Sequence, residues 1–305
     1  MSQNHSRRDF LSLLSVGGVV FASGLAACAA DTSARSPLAG PPPPPAPPAD
    51  DFFFLQLSDT HWGFEGPANP QAATTLEHAI ATINAVDVQP DFIVFTGDLT
   101  HMTADDAERK ARLARVKEFA STLKVKDVRF LPGEHDASAD HGDAYQQAFG
   151  DLHYSFDHKG VHFVALDNVS RAGDAIGDEQ LGWLAADIVK VPANAPVVVL
   201  AHRPLFDLYP DWDWFTKDGA RALEILSPRA NVTVFYGHIH QELHRVTGKV
   251  AHHSARSLMF PLPAPGSVPK KSPLPWDANS PDHGLGWRSV AMQGASARLT
   301  EVPFR

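Results

Sequence analysis

A chain of 305 residues that is 44% hydrophobic can bury a large core, which excludes disorder throughout and leaves room for one large domain or two small ones. Its formal net charge of -9 provides no basic footprint; this argues against capture of a nucleic-acid polymer and favours a small substrate. Cys28 is the one cysteine, so an intramolecular disulfide and a cysteine-cluster metal site are excluded, whereas the 16 histidines leave imidazole ligation open.

Arg7 and Arg8 precede Phe10, and residues 10–27 then carry no charge and are rich in Leu, Val, Ala and Gly, the pattern of a signal-peptide apolar segment. The run from Ser6 to Leu11 resembles the twin-arginine export signal, which a receptor reads as an address. Residues 1–27 are therefore expected to be a twin-arginine-type signal peptide. Leu25-Ala26-Ala27-Cys28 resembles a bacterial lipobox, which would make Cys28 the lipidated first residue of the mature chain; the alternative is cleavage at a nearby small-residue site. Residues 28–50 contain Pro41 to Pro45 in series and are expected to form an extended polyproline tether. Together these features imply an exported bacterial protein of the periplasm or cell envelope, held at a membrane by a lipid on Cys28.

From Asp51 onward, short apolar runs alternate with amphipathic stretches. Residues 52–58, 92–96, 128–132, 161–166, 197–201 and 232–236 read as buried strands. Residues 71–87 carry Leu76, Ile80, Ile83 and Val86 at helical spacing, and residues 104–123 do the same with Ala107, Ala111, Ala114, Phe119 and Leu123. Hairpins are expected at Tyr154 to Val161 and around Gly248, so the sheets are mixed. The fold class is α/β, with one domain over residues 51–256 and a Pro-rich segment, 257–305, completing it. Within that segment, residues 257–288 suit a lid or a docking surface. Trp212 and Trp214 suit either the core or the stacking of a flat substrate group.

Polar residues capable of holding a metal follow the predicted strands. Asp59 and His61 follow the first, Asp98 the second, Glu134 and His135 the third, His202 the fifth, and His238 with His240 the last. Strand carboxyl ends are where open α/β sheets bind ligands, and five such ends carrying Asp and His are hard to explain as core packing.

In order and spacing, Asp59-Thr60-His61, Gly97-Asp98, Gly133-Glu134-His135-Asp136, the run from Val199 to His202 and Gly237-His238-Ile239-His240 resemble the five blocks of the calcineurin-like metallophosphoesterases. That family includes purple acid phosphatases and class III cyclic-nucleotide phosphodiesterases. The resemblance implies a four-layer α/β/β/α sandwich with two mixed sheets. It also implies two metal ions, Fe, Mn or Zn, with Asp59, His61 and His240 on the first, His202 and His238 on the second, and Asp98 on both. Such a pair shares a hydroxide, the implied nucleophile against a small phosphate-ester substrate. His135 would be the general acid at the leaving group; Asp136 would either orient it or cap a helix.

Two positions depart from the pattern. Glu134 stands where the family carries Asn, and His101 where purple acid phosphatases carry a tyrosine. An ionised Glu134 on the second metal would remove one positive charge and favour monoanionic diesters over dianionic monoesters, unless a trivalent ion restored the charge. The alternative is a Glu134 turned away into a salt bridge. His101 would contact substrate or serve as an ordinary loop residue. The expected function is thus metal-dependent hydrolysis of phosphate esters, phosphodiesters first; a phosphomonoesterase and a non-catalytic metal-containing surface lipoprotein are the rivals.

Export and anchoring are separable. Replacing Arg7 and Arg8 by Lys should trap the protein in the cytoplasm, whereas Cys28→Ser should permit export and release the protein from the membrane fraction. Unchanged membrane association of Cys28→Ser on fractionation would remove the lipid anchor.

Overall fold

The computed structural model describes residues 21–23 and 51–304. Cys28 and the proline tether, and all of the expected signal peptide except residues 21–23, lie outside the described residues. In chain order the strands are β1 (Phe21–Ser23), β2 (Phe52–Leu57), β3 (Phe92–Thr96), β4 (Val128–Leu131), β5 (Tyr154–His158) and β6 (Val161–Ala165). They continue with β7 (Val197–Leu200), β8 (Val232–Tyr236), β9 (Leu243–Thr247), β10 (Val250–Ser254), β11 (Gly286–Gln293) and β12 (Ser296–Pro303). The helices are α1 (Ala72–Ala85), α2 (Asp106–Ser121), α3 (Glu134–Ala137), α4 (Asp143–Phe149), α5 (Asp178–Ile188) and α6 (Gly219–Leu226). None of the described helices is long and apolar enough to cross a membrane.

Two six-stranded sheets result, ordered β1-β12-β11-β2-β3-β4 and β5-β6-β7-β8-β10-β9. Both are mixed. β2, β3 and β4 run parallel while β11 lies antiparallel to β2; β6, β7, β8 and β10 run parallel between antiparallel β5 and β9.

The period of two in β2 sorts its side chains between layers. Phe53, Leu55 and Leu57 pack outward with residues of α1, α2 and α4, among them Leu76, Leu113 and Tyr145. Phe52 and Phe54 face inward, where they meet Phe92, Phe163, Phe235 and Leu299 in a layer built from both sheets. The outer face of the second sheet is covered by α5 and α6 through Leu181, Leu184, Ala222 and Leu226. These layers make the α/β/β/α sandwich.

Several strands end one residue earlier than periodicity predicts, because Ser58, Pro132, Leu166 and Ala201 already belong to the loops that follow. The β5–β6 hairpin turns at Lys159 and Gly160, with φ of 45° and 79°, the left-handed pair that matches strand twist. The β11–β12 hairpin adds two strands to the first sheet through β2. Trp212 and Trp214 are core residues, perpendicular to each other at 5.2 Å and enclosed with Phe206 and Tyr236.

His252 on β10 is fully enclosed, edge-on to Phe206 at 5.0 Å, and neither ring nitrogen has a hydrogen-bond partner among the described residues. Burial, and then the charge of Arg245, push its pKa down from 6.5 to about 4. The folded state therefore holds this ring neutral while the unfolded chain takes up a proton below pH 6.5, so its contribution to stability is present above 6.5 and is lost as pH falls toward 4. The thermal midpoint should drop across that window, and His252→Leu should flatten the drop. An equally steep acid limb in the variant, read by calorimetry, would refute this.

Candidate metal centre

Side chains from both sheets meet at the carboxyl ends of the parallel strands. Five of them, Asp59 (φ 54°), His61 (41°), Asp98 (48°), His238 (66°) and His240 (54°), sit in the left-handed region, out of nine described non-glycine residues that do so. Each such residue costs of order 1 kcal/mol or more and persists only where its surroundings over-determine it. Backbone bonds from Asp59 N to Gly97 O (3.0 Å) and from His61 N to Asp98 O (2.9 Å) lash the first two ligand loops together. Gly133 is required by close approach, since a Cβ there would lie 2.0 Å from Asp98 N.

The predicted ligands form two groups whose ligand atoms lie within 4.8 Å of one another: Asp59, His61 and His240 in one, Asp98, Glu134, His202 and His238 in the other. Asp98 joins them. Its Oδ2 lies 3.6 Å from His61 Nε2 and 3.4 Å from His202 Nε2, while its Oδ1 accepts the His135 backbone N–H at 2.9 Å. Glu134 points into the second group, with Oε2 at 2.8 Å from His202 Nε2 and Oε1 at 2.9 Å from His238 Nδ1. It does not turn away.

These atoms fit a metal on their own chemistry. Glu134 Oε2, His202 Nε2 and His238 Nδ1 are buried at contact distance yet make no hydrogen bond. His202 Nδ1 meets the Thr96 carbonyl at 2.7 Å, His240 Nδ1 the Phe260 carbonyl and His238 Nε2 the Asp213 carbonyl at 3.0 Å. A carbonyl only accepts, so each of these ring nitrogens carries its proton and the opposite nitrogen offers a lone pair to the site, as metal-ligating histidines require. His61 Nε2 lies 3.1 Å from the His240 Nε2 lone pair, close enough for one cation to take both nitrogens. Oxygen and imidazole donors without thiolate suit Mn, Fe or Zn.

The charges agree. Burial alone would raise the Asp98 pKa, as would Glu134, but His135 and His202 hold the carboxyl well below its usual range. Burial would lower His202, yet the charges of Asp98 and Glu134 hold it well above its usual value. Without a cation, a proton fills that role at Nε2. Burial pushes His61 and His238 down, which keeps them neutral and ready to ligate.

His135 lies at the rim. Its Nδ1 accepts the Met102 backbone N–H at 2.9 Å, so the ring proton is assigned to Nε2, which lies 3.9 Å from Asp98 Oδ2. Of the two roles expected for Asp136, orienting His135 or capping a helix, the hydrogen bonds match the cap. Asp136 is buried, and its two oxygens accept from Leu99 N (2.9 Å), Thr100 N (2.8 Å), Thr100 Oγ1 (2.9 Å) and Gly133 N (2.9 Å). It caps α3 and staples the loop after Asp98 to the turn before Glu134. Sequence reasoning missed Met102 as the partner of His135, because a backbone amide carries no residue signature. His101 Nδ1 lies 3.5 Å from His61 Nδ1, and His61, His101 and His135 make a third group of ligand atoms within 4.8 Å of one another at the rim of the first cluster.

Paired Asp/His clusters sharing one carboxylate at the strand ends of a two-sheet sandwich define a metal-dependent hydrolase. The chain belongs to the calcineurin-like phosphoesterase family, whose model matches residues 54–242. It is 27% identical over 198 residues to a probable cyclic nucleotide phosphodiesterase of Rhodococcus erythropolis, covering 61% of this chain and 64% of that protein, under two thirds of its length. It is 28% identical over 219 residues to the serine/threonine-protein phosphatase CPPED1 of Mus musculus, covering 62% and 69%. Among solved structures, a dimetal phosphatase from Danio rerio superposes with a TM-score of 0.52 at 14% identity, covering 84% of this chain and all of that one, a likeness of fold.

Replacing Asp136 by Ala would leave the amides of Leu99, Thr100 and Gly133 without acceptors. At roughly 1–3 kcal/mol for each buried unsatisfied group, stability should fall by about 3 kcal/mol or more. Urea unfolding of the metal-free protein measures this. A loss below about 1 kcal/mol alongside lost activity would return Asp136 to the service of His135.

Proposed function

We propose that the chain hydrolyses phosphate esters, phosphodiesters foremost, with two metal ions held by Asp59, His61 and His240 on one side, Glu134, His202 and His238 on the other, and Asp98 on both. The observation that carries this reading is the shared Asp98 Oδ2, 3.6 Å from an imidazole of one cluster and 3.4 Å from one of the other. When bound, such a pair of ions supplies an activated water and a clamp on the attacking and leaving oxygens. The remaining work belongs to the chain. Asp98 is held in register by the His135 amide, and the carbonyls of Thr96, Phe260 and Asp213 fix three of the imidazoles. His135 presents Nε2–H at the rim toward the leaving-group oxygen, and as general acid it acts in the imidazolium form, which gives up the Met102 amide as Nδ1 takes a proton.

The relatedness to a probable cyclic nucleotide phosphodiesterase supports the diester reading. A phosphomonoesterase is the second reading, and one observation favours it: Arg203 Nε lies 3.8 Å from Glu134 Oε2. A guanidinium there offsets the carboxylate whose charge would otherwise disfavour dianionic monoesters. For location, we infer an exported, envelope-associated protein from the signal-like features of residues 1–28.

Metal analysis with chromogenic monoester and diester assays tests the assignment. Asp98→Ala should lose both ions and nearly all turnover. His135→Ala should keep the ions and lose about 10²- to 10⁴-fold in rate, most severely for poor leaving groups. Equal slowing of good and poor leaving groups would end the acid assignment; full ion content in Asp98→Ala would end the shared-carboxylate assignment.

A further inference from the structure

Arg203 directly follows the ligand His202 and is only 5% exposed. Three segments hold it. Its Nη1 donates to the Asp213 carbonyl at 2.8 Å, its Nη2 pairs with Asp174 Oδ1 at 3.3 Å, and its backbone is clamped by Asn168, whose Nδ2 donates to the Arg203 carbonyl at 2.9 Å. That leaves Nε, buried and without a hydrogen-bond partner, 3.8 Å from Glu134 Oε2. A guanidinium is always charged in a protein, and enclosing it is costly unless opposite charge lies close by.

The Asp213 carbonyl does double duty, because it also takes the Nε2 proton of His238 at 3.0 Å. Asp213 itself is in the left-handed region, with φ of 61°. One carbonyl thus ties the guanidinium to an imidazole of the second cluster, and that imidazole's other nitrogen lies 2.9 Å from Glu134 Oε1. Glu134, His238, the Asp213 carbonyl and Arg203 close a ring around one side of the cluster.

We propose that Arg203 is a positioning residue for the second metal cluster, balancing the charge of Glu134 and fixing His238 through the Asp213 carbonyl. The first cluster has no such cation beside it among the contacts described above. Glu134 and Arg203 together act as a neutral unit: the carboxylate supplies a ligand oxygen, and the guanidinium prevents the added negative charge from setting which ester is favoured. This inference rests on the two-metal reading proposed above.

The test is a double-mutant cycle on the full chain with Glu134→Gln, Arg203→Met and both together. Binding of the second equivalent of Mn²⁺ to chelator-stripped protein is followed by calorimetry. Glu134→Gln should weaken it, because an amide replaces an anionic ligand and Arg203 keeps Asp174 alone as its counter-charge. Adding Arg203→Met to that variant should tighten it again by about tenfold, since a nearby cation has been removed. The monoester-to-diester ratio of kcat/KM should rise in Glu134→Gln and return toward the parent value in the double variant. In metal-free protein, each single substitution should lower the thermal midpoint and the double should recover most of that loss, because a buried charge is costly only when its partner is missing. A purely structural Arg203 gives the opposite outcome: additive losses in midpoint and second-ion binding no tighter in the double variant than in Glu134→Gln. Should the parent bind only one ion, the two-metal reading fails, while the metal-free midpoint cycle still decides whether Glu134 and Arg203 are a pair.

Discussion

The carboxylate of Asp98 is the constraint on which the rest depends. One oxygen is immobilised by the His135 amide, and the other must face imidazoles from both sheets. A single atom can do this only if the two sheets meet at a fixed separation and rotation. The aromatic layer between them sets both: Phe54 and Phe92 stack at 4.8 Å within the first sheet, and Phe163 of the second stands perpendicular to Phe92 at 5.3 Å. Polar bonds then cross the gap at the site end. His202 Nδ1 of the second sheet donates to the Thr96 carbonyl of the first, and Gln56 Nε2 of the first donates to the Tyr236 carbonyl of the second at 3.0 Å. Core packing positions the site coarsely, and buried hydrogen bonds set the final ångström.

Strain and charge are concentrated in the same loops. Five ligands in left-handed conformation, and carboxylates enclosed beside imidazoles, work against folding. Asp136 and the glycines before Asp98 and Glu134 offset part of this locally, by satisfying amides and by permitting backbones to touch. A bound cation offsets the rest, because ligands brought together in advance lose little entropy on binding and their mutual repulsion becomes attraction to the ion. Metal binding at these clusters would therefore add to the stability of the fold.

Much of this was legible in the sequence. The apolar runs located β2, β3, β4, β6, β7 and β8 within a residue, whereas β10, parallel to β8, was expected only as part of a hairpin around Gly248; the Asp and His residues after the runs marked the site because those residue types are rare at such positions. The β11–β12 hairpin was not legible as strands. Arg288, Ser289, Thr300 and Glu301 place polar residues within it, and the enclosed Arg288–Glu301 pair faces across the hairpin, a partnership that exists only once the two strands are paired. The outer shell was hidden for a related reason. Carbonyls at Thr96, Asp213 and Phe260 could belong to any residue type, so no motif announces them. For Asp136 the sequence left two roles open, orienting His135 or capping a helix; the choice between them rests on amides of Leu99, Thr100 and Gly133, two of which lie far away in the chain.

The C-terminal Pro-rich segment shows how the shared chemistry is adapted to one chain. A lid must move without disturbing the ligands it covers. Residues 257–262 do not meet that condition: Ser257 Oγ donates to the Asp59 carbonyl at 2.9 Å, the Phe260 carbonyl orients His240, and the Phe260 ring stacks on His61 at 5.0 Å. Displacing this stretch would release the tautomer of one ligand and uncover another. It is therefore a fixed wall of the first metal cluster, as the Asp213 loop is of the second. The two walls reach the ligands differently: Phe260 touches His240 through its carbonyl and His61 through its ring, so a side-chain change there acts on a ligand directly, whereas Asp213 meets His238 through its carbonyl alone and acts only through the backbone.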